Sequence, residues 1–310
     1  MDLRQIHYFV AACEEGSLSA AANRLNCTAS GVSQQMSALE ARLGAELFER
    51  TRRGVTPTAV GRRFYDRCLV ILKAVSEAEI ELEDLAAGLT GAVSAGFAPG
   101  LAKAILPQAL ARFTREFPRV DVDIASGPAD SLLAETSSGT LNFYVGQFVE
   151  PQIGLSAVPI GQFPAALISG SRRGFVPMKP VRLDTVAPLK LFVPSATNSL
   201  RPKIEAAIRN REIAVERTIS IASLSAGLEF LSQTDWSAIL PYWIGLKELA
   251  NERITVNPIA GPELRAEVAL IYPTRQPLSR PAQRLYDYFE QELRRTEVEW
   301  DRVMADCVKP

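Results

Sequence analysis

Between Phe64 and Leu89 the apolar residues stand at Phe64, Cys68, Ile71, Val75, Ala78, Leu82, Leu85 and Leu89, with spacings that alternate four and three. That alternation keeps one stripe of a helix turned the same way for more than three heptads. A lone helix would leave the stripe in water. The spacing therefore predicts a long helix, capped by Thr58 and running to about Gly88, that pairs with a second copy of itself. Packing of the stripe on its own domain is the competing expectation. Every other part of the chain has to be arranged before or after this rod.

The segment before it reads as a small helical domain. Leu3, Ile6, Phe9, Val10 and Cys13 fall at helical spacing and end at Gly16. Ser17 or Ser19 can cap a second short helix, and Thr28 a third, over about Ala29 to Leu43. In the third helix Val32, Met36, Leu39 and Leu43 form the buried stripe. The opposite face carries Ala29, Ser30, Ser33, Gln34 and Ser37, small and uncharged, where a merely solvated helix would carry Lys and Glu. Such a face suits close approach to the major groove, with Ser and Gln reaching base edges. Beyond Gly44, the run Arg50-Thr51-Arg52-Arg53-Gly54 turns sharply. From Arg42 to Arg63 there are six arginines against Glu46 and Glu49, a local balance of +4. The whole chain carries −1, so its basic charge is concentrated in one place, as phosphate contact by a wing requires.

After Gly91 short apolar runs alternate with helical patterns. Strands are expected at Ala92–Phe97, Val120–Ala125, Leu141–Val145, Ala165–Ser169, Lys190–Val193, Thr218–Ala222, Ser237–Leu240 and Glu267–Tyr272. Helices are expected at Leu101–Phe117, Leu132–Ser137 and about Arg280 to Arg295. This alternation implies an α/β sheet. The 310 residues exceed one compact core, and 47% hydrophobic with 22% charged is ordinary for a globular chain. No apolar run is long enough for a membrane span and no signal peptide is read, so a cytoplasmic protein without membrane association is expected. Four scattered cysteines, Cys13, Cys27, Cys68 and Cys307, show no CxxC spacing and read as reduced thiols.

The first 65 residues closely resemble the LysR-type transcriptional regulators. The resemblance rests on Leu3-Arg4-Gln5-Ile6-His7-Tyr8-Phe9-Val10, Gly16-Ser17-Leu18-Ser19-Ala20-Ala21-Ala22, Val32-Ser33-Gln34-Gln35-Met36, Leu39-Glu40, Leu43-Gly44, Leu47-Phe48-Glu49-Arg50 and Thr58-Ala59-Val60-Gly61. It continues more weakly through Leu106-Pro107, Phe117-Pro118, Gly139-Thr140-Leu141 and Ile239-Leu240-Pro241. It implies an α/β protein with an N-terminal all-α winged helix-turn-helix, a long linker helix and a two-lobed effector domain like a periplasmic binding protein. The corresponding boundaries are 1–58 for the DNA-binding domain, 59–89 for the linker helix and 90–310 for the effector domain. Lobe one takes 90–161 and 267–310, and lobe two 162–266. The implied function is DNA-binding transcription regulation, modulated by a small organic acid or aromatic compound held between the lobes. The implied partners are a double-stranded promoter dyad, the effector, further copies of the chain up to a homotetramer, and RNA polymerase, with no cofactor and no metal.

The DNA-binding residues expected on this basis are Thr28, Ala29, Ser30, Ser33, Gln34, Arg50, Arg52 and Arg53. The effector-binding set is Gly100, Leu101, Ser126, Phe148, Ser195, Thr197, Asn198, Arg201 and Ser223. Departures from the family pattern accompany it. Ala29-Ser30 stands where Gln-Pro often opens the recognition helix, Gln34 where a basic residue often follows the helix serine, and Asn142 where an aspartate is common. Family members that bind small acids often use hydroxyls in the first two cleft loops; here those positions are Gly100 and Pro128. Two substitutes are available, the free amides opening the helix at Gly100 and Leu101, and a bidentate pair from Arg201.

Two other readings compete. An enzyme needs a base, a nucleophile or a metal in a pocket, and a chain with His7 as its one histidine, dispersed cysteines and no phosphate loop offers none of the usual sets. No catalytic role is therefore expected. A thiol-based or ligand-independent regulator of the same fold is the alternative, but the effector part holds Cys307 alone.

Overall fold

The structure is a computed structural model. It describes residues 1–51, 54–87, 89–147, 154–194, 198 and 200–307, without the side chains of 73, 76–87 and 306–307. It divides into two compact units. Unit 1 comprises Met1–Gly88 with the short segments Pro151–Ser156 and Tyr272–Pro277; unit 2 comprises Leu89–Glu150, Ala157–Ile271 and Leu278–Pro310.

Unit 1 is built from α1 (Leu3–Glu15), α2 (Leu18–Arg24), α3 (Ala29–Leu43), the hairpin β1 (Phe48–Thr51) and β2 (Gly54–Pro57), and α4 (Ala59–Ala87). Each helix starts where a side chain can satisfy its first amides. Asp2 and Gln5 form a capping box on α1, and Ser17 caps α2. Thr28 caps α3, its Oγ1 accepting the Gly31 N–H at 3.2 Å, and Thr58 Oγ1 accepts the Gly61 N–H at 2.9 Å at the head of α4. The core joins Ile6, Phe9 and Val10 of α1 to Val32, Met36 and Leu39 of α3, with Leu47, Phe48 and Val55 of the hairpin. The hairpin pairs antiparallel, Phe48 opposite Pro57 and Arg50 opposite Val55. It is pinned to the turn after α1, where the Val55 N–H donates to Gly16 O at 2.9 Å. That approach requires Gly54, at φ 135°, because a Cβ there would stand 2.2 Å from the same carbonyl.

The seam of α4 divides. Cys68 and Leu72 are buried in the core of unit 1, and Phe64, Tyr65, Leu69 and Ile71 pack against it. Over its first turns, then, the stripe is covered by its own domain, as the competing expectation held. The reason is geometric: α4 leaves the hairpin directly across α1 and must lay its apolar side on Phe9, whose ring centroid lies 4.9 Å from that of Phe64. Ala78, Leu82 and Leu85, further along the seam, have side chains outside the described set.

Unit 2 contains β3 (Gly91–Phe97), α5 (Pro99–Ala104), α6 (Leu106–Glu116), β4 (Val120–Ser126), α7 (Ala129–Ser138), β5 (Phe143–Gln147), β6 (Leu155–Gly170), β7 (Val181–Arg182), β8 (Leu189–Val193), α8 (Leu200–Arg209), β9 (Val215–Ser220), α9 (Leu224–Ser232), β10 (Ser237–Pro241), α10 (Tyr242–Glu248), β11 (Ile254–Gly261), β12 (Arg265–Pro273) and α11 (Arg280–Cys307). The strands run in the order β4-β3-β5-β12-β6-β10-β8-β9, with β11 beside β6 and β7. Two lobes repeat one scheme. In the first, β3 is parallel to β4 and β5, and β12 returns antiparallel on β5. In the second, β8 is parallel to β9 and β10, and β6 returns antiparallel on β10. Ligand crevices in such sheets open at the carboxyl ends of the parallel strands, where helices begin.

Some elements differ from expectation. The helix expected over Leu101–Phe117 is two, α5 and α6, broken at Ile105. Pro107 lies in the first turn of α6, where it lacks the N–H that a continuous helix would need. The strand expected at Ala165–Ser169 extends back to Leu155, and β11 was not expected at all. Asn142, which stands where an aspartate is common, fastens β5 to β3, its Oδ1 accepting the Ser94 N–H at 2.8 Å while its own N–H donates to Ser94 O at 2.7 Å.

Candidate nucleic-acid interface and ligand cavity

In unit 1 the burial of Val32, Met36 and Leu39 fixes which side of α3 faces out. The outer face presents Thr28, Ala29, Ser30, Gln34 and Ser37 as exposed residues, with Ser33 partly covered. Arg50 projects from β1, half exposed, its guanidinium 3.8 Å from the Glu40 carboxylate. Glu40 also accepts the Leu47 and Phe48 N–H groups at 2.8 and 3.2 Å, so one α3 side chain fixes where the hairpin departs. Arg52 and Arg53 lie outside the described residues. The helix face and the hairpin thus divide the chemistry. Neutral donors and acceptors stand on the helix, where base edges would be read, and a cation stands on the hairpin, where phosphate would be met.

Behind this surface Glu14 is buried to 5% side-chain exposure. Its carboxylate meets Arg24 of α2 at 2.8 Å, the hydroxyl of Tyr65 of α4 at 3.2 Å, and Arg275. Burial pushes the Glu14 carboxyl above its ordinary value, against the pull of the Arg24 guanidinium and the two hydrogen bonds. One carboxylate thereby ties α1, α2 and α4 together. Sequence reasoning missed it, since Glu14 reads as an exposed residue near a helix end; the available signal was its place beside the buried Cys13, one turn after Val10.

In unit 2 a cavity of about 350 Å³ opens where the loops after β3, β4, β8 and β9 meet the head of α10. Its walls include Leu101, Tyr144, Phe192, Leu224, Trp243 and Ile244. Of the residues expected from sequence, Gly100, Leu101 and Asn198 line it. Pro128, singled out for its missing N–H, lines it too. Phe148, Ser195 and Thr197 lie outside the described residues. Ser126 is exposed at the end of β4 and is not on the wall. Ser223 caps α9, its Oγ accepting the Ala226 N–H at 3.3 Å. Arg201 is engaged within its own lobe, by Glu205 at 2.7 Å, the Pro194 carbonyl at 2.8 Å and Ser220 Oγ at 3.3 Å. The Leu101 amide, expected to be free, donates to Ala98 O at 2.9 Å, because the short α5 closes its first turn on that carbonyl.

Tyr144, Phe192 and Trp243 are the large aromatic lining residues among those that sequence reasoning passed over. Burial pushes the Tyr144 phenol up to about 12, so it stays neutral. The Trp243 indole Nε1 is sealed from solvent with no hydrogen-bond partner. Among the described residues Glu267 is the one charged residue on the wall, and Lys203 neutralises it at 2.8 Å. Among the described residues no group of three His, Cys, Asp or Glu could hold a metal ion.

Two family models match the chain. One, described as "Bacterial regulatory helix-turn-helix protein, lysR family", covers residues 3–62; the other, described as "LysR substrate binding domain", covers residues 86–294. The chain is 27% identical over 284 residues to the nitrogen assimilation regulatory protein nac of Escherichia coli (strain K12), an alignment spanning 91% of this chain and 92% of that protein. It is 32% identical over 156 residues to the HTH-type transcriptional regulator TfdS of Cupriavidus pinatubonensis, spanning 50% of this chain and 53% of that one. Among solved structures, full-length CbnR in complex with its target DNA superposes with a TM-score of 0.54 at 24% identity, over 96% of this chain and 99% of that one. At that identity the likeness is one of fold.

Proposed function

The chain belongs to the LysR family of DNA-binding transcription regulators with an effector-binding domain, and from that premise we propose how its two binding tasks are divided. The α3 face reads sequence through Ser30, Ser33 and Gln34, with Thr28 and Ala29 setting its approach. The hairpin arginines Arg50, Arg52 and Arg53 hold the phosphate backbone. The observation that carries this reading is the exposed, uncharged outer face of α3 beside a hairpin bearing Arg50. A solvated helix has no reason to be so free of charge, and a DNA-reading one has.

The domains we assign are 1–58 for DNA binding, 59–89 for the linker helix and 90–310 for the effector. The part of α4 beyond Leu72 is the candidate for pairing two chains, and a homotetramer on an interrupted promoter dyad follows from the family pattern. The cavity of unit 2 is assigned to a small effector, which fits its aromatic walls and modest volume. The protein is read as acting by binding in the cytoplasm, not by catalysis. In support, its single histidine, His7, is exposed on α1 and is not among the residues of the cavity wall.

A gel-shift series tests the DNA assignment. Arg52→Ala should weaken binding to all sequences and flatten its salt dependence, whereas Gln34→Ala should relax the preference at one base pair. Identical behaviour of the two variants in competition would refute the division.

A further inference from the structure

Four charges meet behind the outer face of α3 and cancel: Glu14 and Glu15 of α1, Arg24 of α2, and Arg275. The first three belong to the helical domain. Arg275 comes from far along the chain, in the segment Tyr272–Pro277 that folds with unit 1. Its side chain is 14% exposed, against 5% for Glu14. A solvated pair of this kind would be worth little, but a covered one fixes geometry, because either charge left alone there is costly. Gly154, from the other short segment, lies against the same carboxylate. At φ 89° it has no side chain to accommodate, and a Cβ there would stand 3.1 Å from Glu14 Cδ. The two segments are also stitched to each other. The Thr274 N–H donates to Gly154 O at 3.0 Å, and Ser156 Oγ donates to Thr274 Oγ1 at 3.0 Å.

Both segments are continuous with strands of unit 2. β6 starts at Leu155 and goes on to pair with β10 of the second lobe through Ala165–Ser169. β12 carries Ala266, Glu267 and Val268 on the cavity wall, pairs with β5 of the first lobe, and ends at Pro273. The sheet order sets β12 and β6 side by side, so this pair of strands joins the lobes. Closure of two lobes around a ligand is absorbed where the chain crosses between them, and rigid secondary elements carry such a change onward.

Beyond Glu14 stand the supports of both DNA-reading elements. Arg24 lies in the last turn of α2, just before the turn into α3. Gly16, two residues after Glu14, accepts the Val55 N–H of the hairpin at 2.9 Å. A displacement of Glu14 is therefore felt on the α3 side and at the hairpin together.

Resting on the assignment of the cavity as the effector site, we infer that Arg275 and Gly154 are positioning residues for DNA reading: they carry the arrangement of the lobes, set by what fills the cavity, along β6 and β12 to Glu14, and so to α3 and the hairpin of the same chain.

A wedge built into the cavity tests this without the natural ligand. Gly127 lines the cavity and a Cβ on it would meet nothing within 4 Å, so Gly127→Phe fills the crevice without a backbone clash. Hydrogen exchange on the full-length chain should show the amides at the end of α1 shifted about threefold between Gly127→Phe and the parent. The shift should persist in an Arg24→Gln background, which removes another Glu14 partner and keeps the Arg275 pair. It should vanish in an Arg275→Gln background, whatever that substitution costs in stability. A shift of equal size in Arg275→Gln overturns the inference and leaves the cavity standing, as does an α1 indifferent to the wedge while the amides of α5 and α7 respond. Loss of the shift in Arg24→Gln as well shows that Arg275 only stabilises the cluster, and overturns the inference too. A wedge that moves neither α1 nor the starts of α5 and α7 overturns the cavity assignment, and the inference with it.

Discussion

The outer face of α3 and the wall of the unit 2 cavity are both nearly free of formal charge, but they reach that state in opposite ways. On α3 the side chains of Ser33, Gln34 and Ser37 make no hydrogen bond among the described residues and are held up to solvent. Around the cavity Asn198 and Ser223 are spent on helix amides and Lys203 on Glu267, while Trp243 Nε1 is sealed without a partner. The difference follows from what each surface must recognise. Base edges are read by donors and acceptors that water can vacate cheaply. A buried ligand is read by shape, with any polar group left bare in the cavity costing about 1–3 kcal/mol. An uncommitted face and a committed wall are therefore two solutions to one problem, the desolvation of polar atoms on binding.

The largest effect should come from the charge buried in unit 1. Glu14→Gln keeps the shape of the side chain but leaves Arg275, largely covered, without this anion and Arg24 with Glu15 alone, at 2.7 Å. Breaking a buried pair in this way costs about 3 kcal/mol or more. Hydrogen exchange of the α1 amides should show that loss as a local drop in protection. Unchanged protection would mean that the apolar core alone positions the helices, and that the neutral face owes nothing to Glu14.

Next in size is the α3 face itself. Gln34→Ala should reduce discrimination at one base pair by about 1–3 kcal/mol while total affinity for mixed-sequence DNA changes little. Arg50→Ala should do the reverse. The Glu40 carboxylate beside Arg50 at 3.8 Å is only a loose partner, so the guanidinium can leave it for a phosphate. A competition assay over single-base variants of the operator separates the two outcomes, and a uniform loss for Gln34→Ala would class it as a backbone contact.

A smaller effect tests the committed wall directly. Asn198→Ala removes the acceptor that holds the Leu200 N–H, which should destabilise α8 by about 1 kcal/mol, as other cap losses do. Urea unfolding of the full-length chain should read that loss as a lower midpoint at unchanged slope. An unchanged midpoint would show that the Asn198 side chain does not hold the start of α8.

How far such features could be read in advance depended on their range. The first three helices were readable because their signals are local: Ser17, Thr28 and Gly44 mark ends, and Val32, Met36 and Leu39 mark a face within one helix. The cavity was readable only as a set of loops. Gly100, Leu101 and Asn198 could be named because they sit at strand-to-helix turns, but Tyr144, Phe192 and Trp243 look like ordinary core residues until the sheet brings β5, β8 and the head of α10, which follows β10, to one crevice. Arg201 shows the converse limit. Its position at a helix start suggested an anion, and no local rule revealed that Glu205, one turn on, would take the guanidinium first. The seam from Phe64 shows a related limit, since periodicity names a buried stripe without naming what buries it.

The smallest effect expected is on thiol chemistry, and it bears on which region could serve as a sensor. Cys13 and Cys68 sit in the core of unit 1, and burial pushes the Cys68 thiol up to about 12 and the Cys13 thiol higher still. A thiol reacts as its thiolate, so at pH 8 the reactive fraction of Cys68 is on the order of one in ten thousand. Raising the pH toward 9 increases that fraction tenfold and still leaves it negligible. Ellman's reagent at pH 8 should therefore label Cys13→Ser and Cys68→Ser variants at the same initial rate as the parent chain, since among the described cysteines the partly exposed Cys27 carries the signal. Fast labelling that disappears with Cys68→Ser would show that the core of unit 1 opens to solvent. In that case the neutral face of α3 would be coupled to a scaffold loose enough for oxidants to reach, and the regulator would have a second input besides the cavity.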